Sequence, residues 1–376
     1  MRILHIIASI DPKCGGTSTV CRELAAAQAA KGHSVSIIAY GSLTDDYAAR
    51  SKVNYLELPR VGSPEQLVAW RLRPRFAEAV SANDVGHVHG MWEGMCFEGG
   101  RAFKKANKPY VHSPHGMLDA WALSEFRLKK QIALAVGFKK LPGNAGAVMV
   151  SNSHELDCVR HSGLAKRIEF IPHGIDIAAL DRGMSGGAKT GGQLCGVGTL
   201  PYILFVGRIH EQKGLELLVR TFATVSAEYP NYRLVMAGPD FGEKKLLVGL
   251  AASLNISDKV ILPGPLYADD KACAFRDCAF FVTLTKHENF GMTLAEAMTC
   301  RCAVIASKEC YFQEIVSAGA GIEVPREVTR AAAAMRKLLA DPAATKIMGE
   351  RGRSLVETTF VWPAVADRFH KLFQSL

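Results

Sequence analysis

Two glutamates, Glu288 and Glu296, stand eight positions apart in TKHENFGMTLAEAM, residues 285 to 298, directly after the apolar run Phe280 to Leu284. A buried strand here delivers the chain to a glycine turn that opens a helix near Thr293. The free backbone N–H groups of such a helix start favour phosphate. Glu288 sits in the loop with Asn289, Phe290 and Gly291, while Glu296, one turn inside the helix, is placed to accept hydroxyl donors from a polyol beside that phosphate. The combination suggests a sugar nucleotide. Read from these residues alone, the alternative stays open that Glu296 solvates a helix face and Glu288 caps it. Upstream, the strand YILFVG runs into RIHEQKG and sets Arg208 and Lys213 ahead of the helix Leu215 to Ala227. Two cations in a loop can equally be solvated surface.

The elements that must position these residues are legible as alternating strands and helices. In the first half, apolar strands near Ile3 to Ala8, Ser34 to Ala39, Val85 to His89, Tyr110 to Ser113 and Ala147 to Ser151 alternate with helices such as Thr17 to Lys31. In the second half, the strands are Tyr202 to Val206, Arg233 to Ala237, Lys259 to Leu262, Ala279 to Leu284 and Ala303 to Ala306. This is the βα pattern of parallel sheets. Gly183 to Gly198 carries seven glycines in sixteen positions, which reads as a flexible interdomain link. Trp362, Val365, Phe369, Leu372 and Phe373 recur at helical spacing in the tail.

At 376 residues and 48% apolar content, the chain has room for two ordinary domains, and neither disorder nor a fibre class fits. MRILHIIASI reads as a first buried strand rather than a signal peptide, and no apolar run approaches the ~18 residues that span a bilayer. Ten cysteines without a Cys-x-x-Cys pair read as reduced packing residues, with neither disulfide nor zinc expected. After the first strand, DPKCGGTSTV supplies Gly15 and Gly16 but no G-x-G-x-x-G, so the fingerprint of a nicotinamide or flavin fold is missing. The glycine pair could let backbone amides approach a phosphate or an acceptor; a simple turn is the plainer account.

The Glu288/Glu296 segment resembles the E-x7-E signature of family-four retaining glycosyltransferases, and RIHEQKG after its strand fits the same family. The resemblance spans nearly the whole chain and is most specific in the second domain. It implies a GT-B fold, α/β, in which two Rossmann-like domains face each other across a cleft. The expected division is an acceptor-binding domain at 1–182, a Gly-rich linker at 183–199, a nucleotide-sugar domain at 200–359 and a helix at 360–376 crossing back to the first domain. It further implies that Glu288 contacts the donor sugar and Glu296 the ribose, and that Arg208 and Lys213 hold the donor diphosphate, neutralising charge that develops on the leaving group. Gly15, Gly16, Asn289, Phe290, Gly291, Met292 and Thr293 complete the expected donor site. No cofactor or metal is expected, the nucleotide-diphosphate sugar being a substrate. The family's glycine and proline after the second-Glu helix are Arg301 and Ala303 here, and Asn289 stands where glycine commonly follows the first Glu.

In the first domain, His89 in HVHGMW and His115 in SPHGMLDAWAL fall just past strand ends, where open parallel sheets place ligands. The second pattern resembles a subset of the family that builds bacterial exopolysaccharide and O-antigen chains. It implies a catalytic His115 near the donor sugar, with Asp119 and Trp121 shaping an acceptor mouth; His89 is a further acceptor candidate. Asn152 and Ser153 are secondary candidates, and His173 with Gly174 reads as structural. Residues 1 to 190 hold 24 Lys and Arg against 17 Asp and Glu, net +7, whereas 191 to 376 hold 21 against 19, net +2. Within the basic half, Glu125 to Gly143 sets Arg127, Lys129, Lys130, Lys139 and Lys140 against Ile132, Leu134, Ala135, Val136 and Phe138. Such a segment can lie on an anionic leaflet, or be a solvated helix packed on its own domain. No nucleic-acid motif is present. The expectation is a cytoplasmic enzyme, at most peripheral at the inner membrane face, acting on a glycan or lipid-linked acceptor. A GT-B epimerase or phosphorylase, or a non-catalytic nucleotide-binding partner, are the alternatives.

Overall fold

The computed structural model describes all residues except 12–14, 44–46, 60–68, 125 and 187–188, together with the side chains of Ala120 and Trp121. The chain divides into two compact units, Met1–Gly174 with Trp362–Leu376, and Ile175–Val361. In the first unit, strands β1 (Arg2–Ile6), β2 (Ser34–Tyr40), β3 (Asn54–Leu58), β4 (Val85–His89), β5 (Tyr110–Ser113), β6 (Ala147–Val150) and β7 (Ile168–Phe170) form a parallel sheet in the order β3-β2-β1-β4-β5-β6-β7. In the second, β8 (Tyr202–Val206), β9 (Arg233–Ala237), β10 (Val260–Ile261), β11 (Phe280–Thr283), β12 (Val304–Ser307) and β13 (Gly321–Val324) run parallel in the order β10-β9-β8-β11-β12-β13. Each is a Rossmann-like α/β unit.

The strand order reverses between β1 and β4 in one unit and between β8 and β11 in the other, and ligands of open parallel sheets bind at the carboxyl ends of the strands flanking such a point. The central strands are buried on both faces. Ile203 and Phe205 of β8 enter one core with Leu218 and Phe222, while Tyr202, Leu204 and Val206 enter the other with Phe275 and Phe281. Burial of each large side chain contributes about 1.5–3 kcal/mol, so the strand ends are held on a stiff frame.

The expected Gly-rich linker is, in its described part, a packed piece of the second unit. Ile177–Gly186 is a helix against Ala268–Asp277, and Gly191–Leu194 forms a short helix on the same partner. The glycines serve close approach: a Cβ on Gly191 would lie 2.4 Å from the Tyr202 hydroxyl, and one on Gly192 2.1 Å from the Gly198 carbonyl oxygen. The boundary therefore falls at 174/175 rather than at 182. Trp362–Gln374 is a helix whose Phe369 ring lies 4.9 Å from that of His87, and Asp367 pairs with Lys31 at 2.7 Å. Gly174 admits it, since a Cβ there would meet the Trp362 ring at 2.4 Å.

Candidate functional site

In the second unit, β8 and β11 end side by side and deliver two loops to one place. Gly207 to Gly214 carries the two cations. Gly214, at φ 64, turns the chain into the helix Leu215–Val225 and passes so close to β11 that a Cβ would sit 2.1 Å from the Leu284 carbonyl oxygen. This contact sets Lys213 against the second loop, where its ammonium donates to Glu288 Oε2 at 2.5 Å. Both side chains are largely enclosed, at 14% and 23% exposure. Burial works to raise the Glu288 carboxyl, but the Lys213 ammonium outweighs it, with help from the Asn289 amide, and holds it below the usual carboxylate range. Arg208 is exposed, its guanidinium 5.5 Å from the centre of the Phe241 ring.

Gly291, at φ 71, turns the second loop into the helix Met292–Thr299. The N–H groups of Met292 and Thr293 have no hydrogen-bond acceptor among the described residues. One turn on, Glu296 Oε1 accepts from Lys271 at 2.6 Å, while its other oxygen, Oε2, is buried with no partner among the described residues. A helix start, two cations and a carboxylate with lone pairs to spare thus converge at the carboxyl end of β8 and β11, a constellation suited to a diphosphate and an adjoining diol. Phe290 departs from its expected donor role: only 6% exposed, its ring packs among Phe312 and Phe360 at 5.5 and 5.6 Å, so it anchors the loop to the core. Lys271 had no signal in the sequence, because only folding brings it to Glu296 across 25 positions.

In the first unit, the carboxyl ends of β4 and β5 and the body of β1 gather histidines. His5 Nε2 bonds Gln28 Oε1 at 2.7 Å, His5 Nδ1 bonds His89 Nε2 at 2.9 Å, and His89 Nδ1 bonds His115 Nε2 at 3.0 Å. His87 bonds the Ser113 hydroxyl at 2.6 Å, and His112 bonds the Gly90 carbonyl at 2.9 Å. Burial pushes His5 and His112 down to about 4 and His173 to about 3; burial, then neighbouring rings, hold His87, His89 and His115 well below the ordinary value. The rings are therefore neutral near pH 7. Among the described residues, His5, His87 and His89 are the one trio whose side-chain nitrogens lie close enough together for a metal ion, but His5 and His89 already bond each other.

The expected acceptor residues separate. His89, expected among the acceptor candidates, is 1% exposed, with one ring nitrogen bonded to His5 and the other to His115. Asp119 is 2% exposed and accepts the Ala122 N–H at 2.7 Å, capping the short helix Ala120–Ser124 instead of shaping a mouth. The Trp121 side chain lies outside the described residues. His115 is partly accessible and adopts φ 53, which a non-glycine residue holds only under constraint. Part of that constraint is Glu155, whose buried carboxylate accepts the Gly116 N–H at 2.6 Å and the Ser151 N–H at 2.8 Å. Asn152 caps the following helix through the Glu155 N–H at 2.7 Å. The spacing Asn152 to Glu155 signals a capping box, yet the Glu155 side chain serves the His115 turn. Gly15, at φ 113, and Gly16 open the helix Gly16–Ala30, and among the described residues nothing lies within 4 Å of where their side chains would be.

Residues 14–179 match the model of Glycosyltransferase Family 4, and residues 197–355 that of Glycosyl transferases group 1. The GDP-mannose:cellobiosyl-diphosphopolyprenol alpha-mannosyltransferase of Xanthomonas oryzae pv. oryzae is 25% identical over 385 residues, covering 98% of this chain and 95% of that protein. The D-inositol 3-phosphate glycosyltransferase of Kineococcus radiotolerans is 28% identical over 339 residues, covering 83% and 77%. The structure of Anabaena HepE in complex with UDP superposes with a TM-score of 0.81 over the whole of both chains, at 18% identity. With the two family domains in order along one chain and a parallel Rossmann-like sheet in each, the chain belongs to the GT-B glycosyltransferases of family four.

Proposed function

We propose that the enzyme transfers a hexose, with retention of configuration, from a nucleoside diphosphate to a hydroxyl of a lipid-linked glycan in cell-surface polysaccharide synthesis. The observation that carries this reading is the convergence of Lys213, Glu288, Glu296 and the N–H groups of Met292 and Thr293, which have no acceptor among the described residues, at the ends of β8 and β11. Lys213, Arg208 and the helix start take the diphosphate, a charge balance that needs no divalent ion. Glu296 accepts the ribose hydroxyls, and Glu288 a hydroxyl of the sugar. The bond from the anomeric carbon to the phosphate oxygen breaks and the acceptor oxygen bonds to the same face. The acceptor proton passes to the departing phosphate. His115, in the first unit, is the catalytic histidine of this reading, its partly accessible ring offered to a hydroxyl of the substrate.

The names of relatives support the substrate classes: one is named for a GDP-sugar and a diphosphopolyprenol-linked acceptor, and HepE was solved with UDP. A surface of the first unit fits a lipid-linked acceptor. Phe126, Leu128, Ile132 and Val136 are 70, 71, 54 and 70% exposed, beside the exposed Arg127, Lys129, Lys139 and Lys140. Among the described residues, no helix is long and apolar enough to cross a membrane, so attachment through this surface is peripheral.

The test is a panel of nucleotide sugars in excess chelator, read by thermal shift and by transfer to diphosphopolyprenol-linked oligosaccharides. A ligand at 100 times its dissociation constant adds about 2.7 kcal/mol of stability. Glu296→Ala is expected to weaken nucleotide binding, and Glu288→Gln to lower turnover with binding retained. No stabilisation by any nucleoside diphosphate defeats the reading; donor turnover without acceptor points to an epimerase.

A further inference from the structure

Gln28, on the helix Gly16–Ala30, and His5, on β1, lie outside every role assigned above, yet they are joined to His115 by an unbroken row of hydrogen bonds. A neutral imidazole has one N–H and one lone pair, so each ring-to-ring bond fixes which nitrogen of the next ring bears the proton. Gln28 Oε1 only accepts, so His5 must carry its proton on Nε2. Its Nδ1 is then a lone pair, which requires the proton of His89 on Nε2. His89 Nδ1 in turn requires the proton of His115 on Nε2. What is left at the accessible end of the row is His115 Nδ1, without a proton and without a partner among the described residues.

We propose that Gln28 is a positioning residue for the transfer reaction: through His5 and His89 it fixes His115 as the Nε2–H tautomer and presents Nδ1 as a hydrogen-bond acceptor to a hydroxyl of the substrate. The inference rests on the function proposed for His115 and adds to it the direction of the hydrogen bond. Burial supports it: His5 and His89 are 0 and 1% exposed and Gln28 1%, so water does not supply a competing donor inside the row. The orientation of the amide is what matters, because a Gln28 turned by 180° would donate to His5 and reverse every tautomer, leaving His115 with an N–H to offer. As placed, the Gln28 amide gives its oxygen to His5 and leaves Nε2 buried with no partner among the described residues. His115 is held in the row by its own backbone, since the turn at φ 53 is pinned by Glu155 on the Gly116 N–H.

The experiment is nitrogen-15 NMR of the full chain, ring-labelled at histidine, near pH 7.5 and without donor, with His115→Gln used for assignment. The expected wild-type spectrum shows His115, His89 and His5 neutral and protonated on Nε2. Gln28→Leu should mix the tautomers of His115 and lower kcat by about tenfold or more, the scale seen when a metal-bound histidine loses the partner that orients it, with the donor KM unchanged within about twofold. Gln28→Glu, whose carboxylate can only accept, should restore both the Nε2–H tautomer and most of the activity. A wild-type His115 protonated on Nδ1 overturns the proposal without any variant. So does Gln28→Leu with an unaltered His115 spectrum and kcat. Because the tautomer is read on the resting protein, a failure of nucleotide binding, which would defeat the proposed function, is seen separately.

Discussion

Lys213 and Glu288 hold each other in a partly enclosed pair, and this gives the two cations of the site different signatures. Arg208 is exposed and has no acid partner among the described residues, so Arg208→Ala should remove about 2 kcal/mol of transition-state stabilisation, roughly 30-fold in rate, and leave the melting temperature alone. Lys213→Ala should lose at least as much rate and also about 2 kcal/mol of stability. The loss of stability follows because the Glu288 carboxyl, which burial alone would raise, is left without its counter-charge. Paired measurements of kcat and melting temperature check both. Equal melting temperatures for the two variants would show that the ion pair contributes nothing, and near-normal turnover by either would remove it from the diphosphate site. The second loop is shaped by backbone as much as by side chain: Phe290 anchors it in the aromatic cluster, Gly291 makes a left-handed turn, and the N–H groups of Met292 and Thr293 have no acceptor among the described residues.

At the scale of elements, the loop after β8 is fastened to β11 by the absence of a side chain. Gly214→Ala would place a methyl 2.1 Å from a backbone oxygen at φ 64, and neither the carbonyl of Leu284 nor the left-handed turn can relax without moving Lys213. The expected loss is about 2–4 kcal/mol of stability, with weaker nucleoside diphosphate binding, measured by urea midpoint and titration; a wild-type midpoint would show the loop to be loosely held. The basic apolar segment after Phe126 makes a second prediction. Lys130 is tied to the Ala122 carbonyl, and Phe138 is buried, so the set of residues free to meet a membrane is narrower than the sequence pattern indicates. Changing Lys129, Lys139 and Lys140 to Gln should remove about 1 kcal/mol of attraction each, abolishing the salt-sensitive part of sedimentation with anionic vesicles, while Leu128→Ser with Val136→Ser should weaken the salt-resistant part. Vesicle binding that neither set alters would assign the segment to solvent.

At the scale of the whole molecule, six histidines of the first unit are held neutral by burial, and this links stability to pH. Their pKa values are lowered in the folded state, so below about pH 6.5 the unfolded chain binds protons that the folded chain does not. The sign is therefore a loss of stability as pH falls, beginning near 6.5 and continuing to about 4 for His5 and His112 and about 3 for His173. Each ring adds up to about 1.4 kcal/mol per pH unit within that window. Urea midpoints between pH 7 and 5, above the range where most carboxylates titrate, should drop steeply; a flat profile would mean that the cluster opens to water. The second unit, where Lys213 pairs with Glu288, Lys271 with Glu296 and Arg353 with Asp181, should be less sensitive, so the first unit should melt earlier in acid.

The sequence by itself determined the βα alternation, the two sheets and the positions of Glu288, Glu296, Arg208 and Lys213. Central parallel strands are buried on both faces and appear as unbroken apolar runs, and glycine marks the turns that feed the helices. It did not disclose β3, β7 or β13, edge strands that are half exposed and therefore lack that run. The glycines of 183–198 read as slack because composition does not distinguish a glycine that frees the chain from one that lets two backbones touch. Only the tertiary structure could decide the partners: Lys271 with Glu296, Glu155 with the His115 turn, Gln28 with His5. These residues are separated by 25, 39 and 23 positions, and a hydrogen bond fixes atoms to within a few tenths of an ångström. Spacing along a chain carries that information only within one helix or strand, so it placed Asp119 and His89 near strand ends but not the Ala122 N–H that one accepts or the two histidines that the other bonds.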